Sequence, residues 1–488
     1  MQSSTVKRLA LRNTLYLTVS QALTIPLAVV VNALLARYLG AAEFGYIYLA
    51  ASLSGFGFLV VNWGHEGALP SLIALDRTRA GVLLGSSLVW RSWLGVVVYA
   101  VLAGGCYLLH YDAAFQWALA LTFAITAITA FIAAFKDSIR GFERMDIPAF
   151  THVGQQLLAA IVLVPVLLLG GGMRGALFSQ IPVALVVLFL IWRTIRGVGM
   201  DGLSVRRDAM KTLFIDGTPF VFFNLAMALQ PIIDAVFLSK LSPPEVMGWF
   251  AVSRRLLGVL LFPASALIGA LYPTLVRLYD ENRDSFAEIS RGAFQGVALL
   301  SIPVALGCGL YPEVGVGMFS HKSFAPAEDN LRISALYLFL VYFSMPLGMC
   351  IFACGKRKVW SGVQGLCVVV SAVLDPLLVP WFQAHHHNGG LGLCIAGVIS
   401  EALVIVCGLF LLPKGVIDKR LARSLLFALA SGAVMALVAR LLKGFSPFLG
   451  APLAVLAYVI ALWATGGVEK QQVAAVRAFV SRKFSRAP

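Results

Sequence analysis

The residues able to do chemistry in this chain are few, and they sit where charge is expensive. In VSRRLLGVLLFP (252–263), Arg254 and Arg255 stand side by side inside a run that otherwise reads as oily helix. Arg91 (LVWRSWLG), Asp234, Asp375 (followed by Pro376) and Glu401 (VISEALVI) interrupt similar runs. An ionisable residue at the centre of a membrane helix costs about 2.5–3.5 kcal/mol on insertion scales, so it usually faces a cavity or a partner. Arginines in a cavity favour an anion; the three acids offer a cation site, a proton site or a salt bridge.

Adjacent helical residues point about 100° apart, so the two arginines do different things. One stripe carries Arg254, Gly258, Leu261, Ser265 and Gly269; the other carries Arg255, Val259, Phe262 and Ala266. The small, polar stripe suits a cavity, which favours Arg254 facing inward and Arg255 snorkelling to the outer interface. Asp234 lies about as far before the SPPE turn (242–245) as the arginines lie after it, so a salt bridge to one of them is the competing reading. Arg91 is either a cavity residue or packed against a neighbour, and Glu401 either an ion site or a hydrogen-bonded structural acid. Arg37 and Glu43 are expected at the outer rim, in water.

Other motifs read as bland. HHH (385–387) is expected in a solvated outer loop, because three consecutive residues cannot all point at one ion. NWGHEG (62–67) reads as a polar helix end, with His65 and Glu66 as candidates for gating or proton transfer. The seven cysteines form no CxxC pair and read as small apolar fillers, Cys350 and Cys354 included, so no metal site is expected. There is no phosphate loop, nucleophile elbow or HExxH, and no cofactor is implied.

The elements that must position these residues are membrane helices. The 488 residues are 59% hydrophobic and 12% charged, against about 25% charged for a soluble chain. Mean hydropathy is +0.87. Apolar runs long enough to cross about 30 Å of hydrocarbon are expected near 15–37, 46–63, 81–103, 113–135, 151–169, 174–193, 216–238, 248–272, 293–312, 331–354, 360–380, 392–412, 424–442 and 449–465. That is an all-α polytopic membrane protein of about fourteen spans. The first run is too long for a signal-peptide core and is expected to stay as a helix. Asp375-Pro376 marks an expected break, and PTLVRLYDENRDSFAEISRGAF (273–294) an expected amphipathic helix on the inner surface.

With the amino terminus in the cytoplasm, about 28 of the 38 Lys and Arg fall on the inner side. The net charge of +15 is therefore positive-inside charge rather than a nucleic-acid footprint, and the basic tail can touch anionic lipid. Both termini are expected inside, in a plasma membrane.

The chain also repeats. LLARYLGAAEFGYIYLAASL (34–53) resembles FLSKLSPPEVMGWFAVSRRL (237–256): Leu39 pairs with Leu241, Glu43 with Glu245, Gly45 with Gly248 and Leu53 with Leu256. The expected organisation is a six-helix lobe (1–193), a cytoplasmic linker (194–215), a second six-helix lobe (216–412), two extra helices (413–465) and a basic cytoplasmic tail (466–488). Both lobes start on the same side, so the repeat is parallel, with a binding site between the lobes.

ALLARYLGAAEFGYIYLAASL and GWFAVSRRLLGVLLFPASALIGALYPTL resemble the polysaccharide-export branch of the multidrug/oligosaccharidyl-lipid/polysaccharide exporter superfamily. The second stretch is similar to that branch's Gly–x–aromatic–x–x–small–x–Arg–Leu pattern at Gly248, Phe250, Ser253, Arg255 and Leu256, with Pro273 following. The resemblance puts the functional arginine at Arg255, whereas the helix-face argument favours Arg254. It implies a flippase moving an undecaprenyl-diphosphate-linked oligosaccharide from the inner to the outer leaflet by alternating access, for O-antigen, capsule or exopolysaccharide assembly. It further implies an arginine holding the diphosphate, a lipid-tail groove from the last two spans, and a polysaccharide polymerase and chain-length regulator as partners. A drug or cation antiporter of the same fold is the first alternative; a membrane-embedded polymerase or ligase is the second, disfavoured by the short outer loops.

Overall fold

A computed structural model describes residues 2–198, 200, 202–319, 323–413, 415–442 and 446–466. Every described element is helical, as apolar spans require: hydrocarbon offers no partner for a free N–H or C=O, and a helix pairs them internally. The chain forms two compact units, Met1–Ala251 with Gln383–Gly389, and Val252–Phe382 with Gly390–Pro488.

The first unit holds α1 (Gln2–Asn62), α2 (His65–Leu75), α3 (Ala80–Leu108), α4 (Ala113–Gly141), α5 (Asp146–Leu168), α6 (Gly172–Ile195), α7 (Arg207–Leu241) and the start of α8 (Pro244–Leu260). Leu69, Ile73, Leu83, Leu84, Ile132, Phe135, Ile191 and Leu213 build its main core. The second unit holds the rest of α8, then α9 (Phe262–Glu281), α10 (Arg283–Leu310), α11 (Pro312–Gly317), α12 (Ala327–Ala353), α13 (Arg357–His386) as far as Phe382, α14 (Gly390–Leu411), α15 (Lys419–Leu441) and α16 (Pro447–Ala464). Leu275, Phe286, Phe294, Leu347, Trp360 and Val404 form one of its cores; Ile302, Tyr311, Met435 and Tyr458 form another. Tyr311 and Tyr458 donate to the carbonyls of Ala439 (3.3 Å) and Leu299 (3.1 Å), tying α15 and α16 to the α10 end of the unit.

Eleven described helices are long and apolar enough to cross a membrane, or up to twelve if α8 and α9, bent by 41°, form one span. This is a multi-span membrane protein. The figure falls short of fourteen partly because the first two expected spans form one helical run. Gly40, at φ 75°, kinks that run where a loop was expected, in a conformation that side chains with a Cβ rarely adopt. The helix ends within NWGHEG, as expected, and after Trp63 and Gly64 the chain starts a second, short helix, α2.

Two other expectations change. Helix α13 runs unbroken through Pro376 and Pro380 and ends at His386, so the first two histidines are helical, although exposed. Segment 273–294 is not one helix: it is the end of α9 and the start of α10, with Leu275, Phe286 and Phe294 buried and Arg277, Asp280, Glu281 and Arg283 exposed. Asn282 separates the two helices and accepts from the backbone N–H groups of Asp284 (3.1 Å) and Ser285 (3.0 Å), an N-cap.

The repeated segments meet inside the first unit. A Cβ on Gly45 would run into the Pro244 carbonyl and the Gly248 amide, and a Cβ on Gly248 into the Ala41 carbonyl. The two glycines paired by sequence therefore occupy one close backbone crossing, each needed by the other's segment. The linker docks too. Arg206 donates its N–H to Ser86 Oγ (3.2 Å), Met200 joins the core, and a Cβ on Gly85 would strike the Ser204 carbonyl.

Candidate functional site

Ser253 fixes the rotation of α8. It is fully buried, and its hydroxyl donates to the Ala327 carbonyl at the start of α12 (3.2 Å). The next two residues then diverge. Arg254 is half-buried, its guanidinium 5.9 Å from the centre of the Tyr337 ring on α12. Arg255 is exposed, and below it so are Gly258, Pro263, Ser265, Ala266, Gly269 and Ala270. A Cβ on Gly258 or Gly269 would touch nothing within 4 Å. Elsewhere exposed surface is oily: α16 presents Leu449, Leu453, Leu456, Ile460 and Trp463. A face of arginine, serine, alanine and glycine is a poor match for lipid tails and a good one for a wetted path. The stripe expected under Arg254 runs through Gly258, Leu261, Ser265 and Gly269; Leu261 is half-buried, and the exposed arginine above Gly258, Ser265 and Gly269 is Arg255, with Arg254 turned toward Tyr337.

The other in-span charges are dispersed. Arg91, 2% exposed, donates to the Ala130 carbonyl and braces α3 against α4. Asp234 on α7 and Asp375 on α13 are buried, and Arg37 is exposed. Glu401 on α14 is half-buried and hydrogen-bonded to Ser344 Oγ on α12. Glu43 does more than meet water: its Oε2 accepts from the Met173 backbone N–H (2.9 Å) in the first turn of α6, where the helix dipole favours negative charge. Among the described residues no group of three or more His, Cys, Asp or Glu could hold a metal ion.

A polar cluster at the α1–α2 break escaped the sequence reading apart from His65 and Glu66. His65 is fully buried, with Nδ1 2.9 Å from Ser87 Oγ, which anchors the start of α2 to α3. Trp63 Nε1 donates to Thr218 Oγ1 on α7 (3.2 Å). Asn224, also on α7, donates to Glu66 Oε1 (2.5 Å). Asp137 is buried nearly completely and paired with Arg140 (3.1 Å). It was missed because α4 runs to Gly141, past the expected end of its span. Asn62 and Asn224 carry no charge, so a search for in-span ions passes over them.

A second cavity is apolar. About 490 Å³ opens between α10, α12 and α15, lined by Leu306, Gly309, Ala335, Phe339, Gly432 and Ala436 among others. Small residues on all three helices leave the space, and the exposed Leu336 and Leu429 flank it.

The fold is shared with known transporters. A structure titled lipid II flippase MurJ, inward closed conformation, superposes with TM-score 0.71 at 14% identity, covering 92% of this chain and 98% of that one. An inward-facing multidrug resistance MATE family transporter of the MOP superfamily matches with TM-score 0.62 at 18% identity, over 80% of this chain and 93% of its own. A MOP superfamily transporter from Pyrococcus furiosus, whose title reports a binding pocket of reversed polarity, matches with TM-score 0.54 at 15% identity, over 82% of this chain and 94% of its own. No curated protein sequence matches significantly. The family model described as polysaccharide biosynthesis protein matches residues 10–279, more than half of the chain, and the chain belongs to that family.

Proposed function

We propose that this protein is a flippase that carries an undecaprenyl-diphosphate-linked oligosaccharide from the inner to the outer leaflet of a bacterial plasma membrane by alternating access. The observation that carries the reading is the exposed stripe headed by Arg255 on α8 and α9. The substrate head is a diphosphate bearing polar sugars, and crossing hydrocarbon unaided would bury charge without partners. In the proposed mechanism Arg255 binds the diphosphate by charge-assisted hydrogen bonds, and the glycines and Ser265 below it leave a smooth, wetted track. Arg254, held over Tyr337, supports the helix and the local positive field. The apolar cleft between α10, α12 and α15 takes part of the lipid tail. Membership of the polysaccharide biosynthesis family favours a sugar-bearing cargo, and a lipid-linked cargo has a parallel in the lipid II flippase of the same fold.

The test uses cells lacking the chain, with undecaprenyl-linked oligosaccharides assayed in each leaflet. The expected result is a complete repeat unit accumulating on the inner leaflet, cleared by the wild type and by Arg254→Lys but not by Arg255→Ala at matched membrane levels. Absence of accumulation, with new sensitivity to cationic drugs, would overturn the flippase reading in favour of an antiporter using Asp234, Asp375 or Glu401.

A further inference from the structure

The cavity at the α1–α2 break has no role in the diphosphate chemistry. It holds about 360 Å³ and is lined by Phe58 and Asn62 of α1, Glu66 of α2 and Asn224 of α7, with Gly55 bare beside them. That volume is within the range of small-molecule sites. Its hydrogen-bonding groups are mostly acceptors. Glu66 presents a carboxylate, one oxygen of which takes the Asn224 amide at 2.5 Å. Asn62 Oδ1 is shielded from solvent and has no hydrogen-bond partner among the described residues. A buried acceptor left unmatched carries a desolvation cost that a donor from a ligand would remove.

This composition selects a ligand class. The carboxylate repels a diphosphate, and a single carboxylate among amides is a thin set for a metal ion. Hydroxyl hydrogens suit the acceptors. The backbone at Gly55 is open, since a Cβ there would meet nothing within 4 Å. The site is also held in shape: His65 bonded to Ser87 and Trp63 bonded to Thr218 fix both ends of the break.

We propose that this cavity is a saccharide subsite: Asn62, Glu66 and Asn224 hold one neutral sugar ring of the cargo through its hydroxyl groups. The proposal rests on the flippase reading and assigns sugar recognition to residues other than those that take the diphosphate. Glu66 and Asn224 tether each other in the empty site and re-aim onto sugar hydroxyls when it fills.

The experiment measures binding to the full-length protein in lipid nanodiscs. One probe is the lipid-linked oligosaccharide purified from cells lacking the chain; the other is undecaprenyl diphosphate without sugar. The wild type is expected to prefer the sugar-bearing lipid by about tenfold, worth roughly one or two good hydrogen bonds. Glu66→Gln, Asn224→Ala and Gly55→Val are expected to bring that ratio toward one, leaving the dissociation constant for the bare diphosphate lipid unchanged. Gly55→Val fills open space, so it tests the cavity without disturbing a packed contact; the melting temperature of each variant checks folding. If all three variants keep the wild-type preference, or the wild type has none, the saccharide subsite is wrong while the flippase reading stands. If the wild type binds neither lipid, the flippase reading itself fails. A sodium dependence of bare-lipid binding lost in Glu66→Gln, with the sugar preference intact, would make the cavity a cation site and overturn the proposal.

Discussion

Arg254 and Arg255 show how little separates a structural charge from an accessible one. They share a helix turn and a residue type. One lies against an aromatic ring of α12 and the other is exposed, because buried Ser253 sets the rotation of α8. Replacing Arg255 by lysine keeps the charge but loses the planar fork that grips a diphosphate through two parallel bonds. Arg255→Lys is therefore expected to transport at a reduced rate and Arg255→Ala not at all, measured as leaflet clearance of the lipid-linked repeat unit. Equal activity of Arg255→Ala and wild type would remove this residue from the mechanism. Both arginines were legible from sequence as charges within an apolar run. Which of them is exposed was not, because their 100° separation decides nothing until a neighbour is placed.

At the scale of elements, close packing makes sharp demands of small residues. Gly248 has a backbone carbonyl where a side chain would go, whereas Gly258, about three turns further along α8, faces open space. Gly248→Val is expected to destabilise the detergent-solubilised protein by at least the roughly 1–3 kcal/mol of an overpacked core, read as a lower melting temperature. Gly258→Val is expected to leave that temperature unchanged and to slow transport by narrowing the stripe. Equal melting temperatures for the two variants would contradict the crossing at Gly45 and Gly248. Glu43→Ala removes the acceptor from the first turn of α6, with an expected cost of about 1 kcal/mol in a chemical or thermal melt. The proposed tail cleft makes its own prediction. Ala436→Phe reaches into that space and is expected to weaken binding of long-chain polyprenyl diphosphate more than that of a short-chain analogue.

Across the whole molecule, the biased placement of Lys and Arg sets an expected topology with both termini inside. Cysteine substitutions at His110 and Arg144, at opposite ends of α4, are expected to label from opposite sides of intact cells with a membrane-impermeant maleimide: His110 from outside, Arg144 only after permeabilisation. The assay starts from a chain with Cys354 and Cys407 replaced by Ser, since the other five native thiols are buried. Labelling of Arg144→Cys from outside would invert the topology and, with it, the direction of the proposed transport.

Much of the architecture follows from the sequence alone, for a physical reason. Hydrocarbon forces each long apolar run into a helix, so the class is readable one segment at a time. Gly45 and Gly248 stand out in the sequence for a related reason: a close backbone crossing permits no side chain, and glycine leaves a mark. The errors fell where one segment cannot speak for itself. Pro376 ends no helix in α13, and segment 273–294 is two helices parted at Asn282, because packing partners override local pattern. The cavity at the α1–α2 break is a product of tertiary structure throughout. Asn62, Glu66 and Asn224 come from three helices, and only the seating of α7 against that break makes them one site.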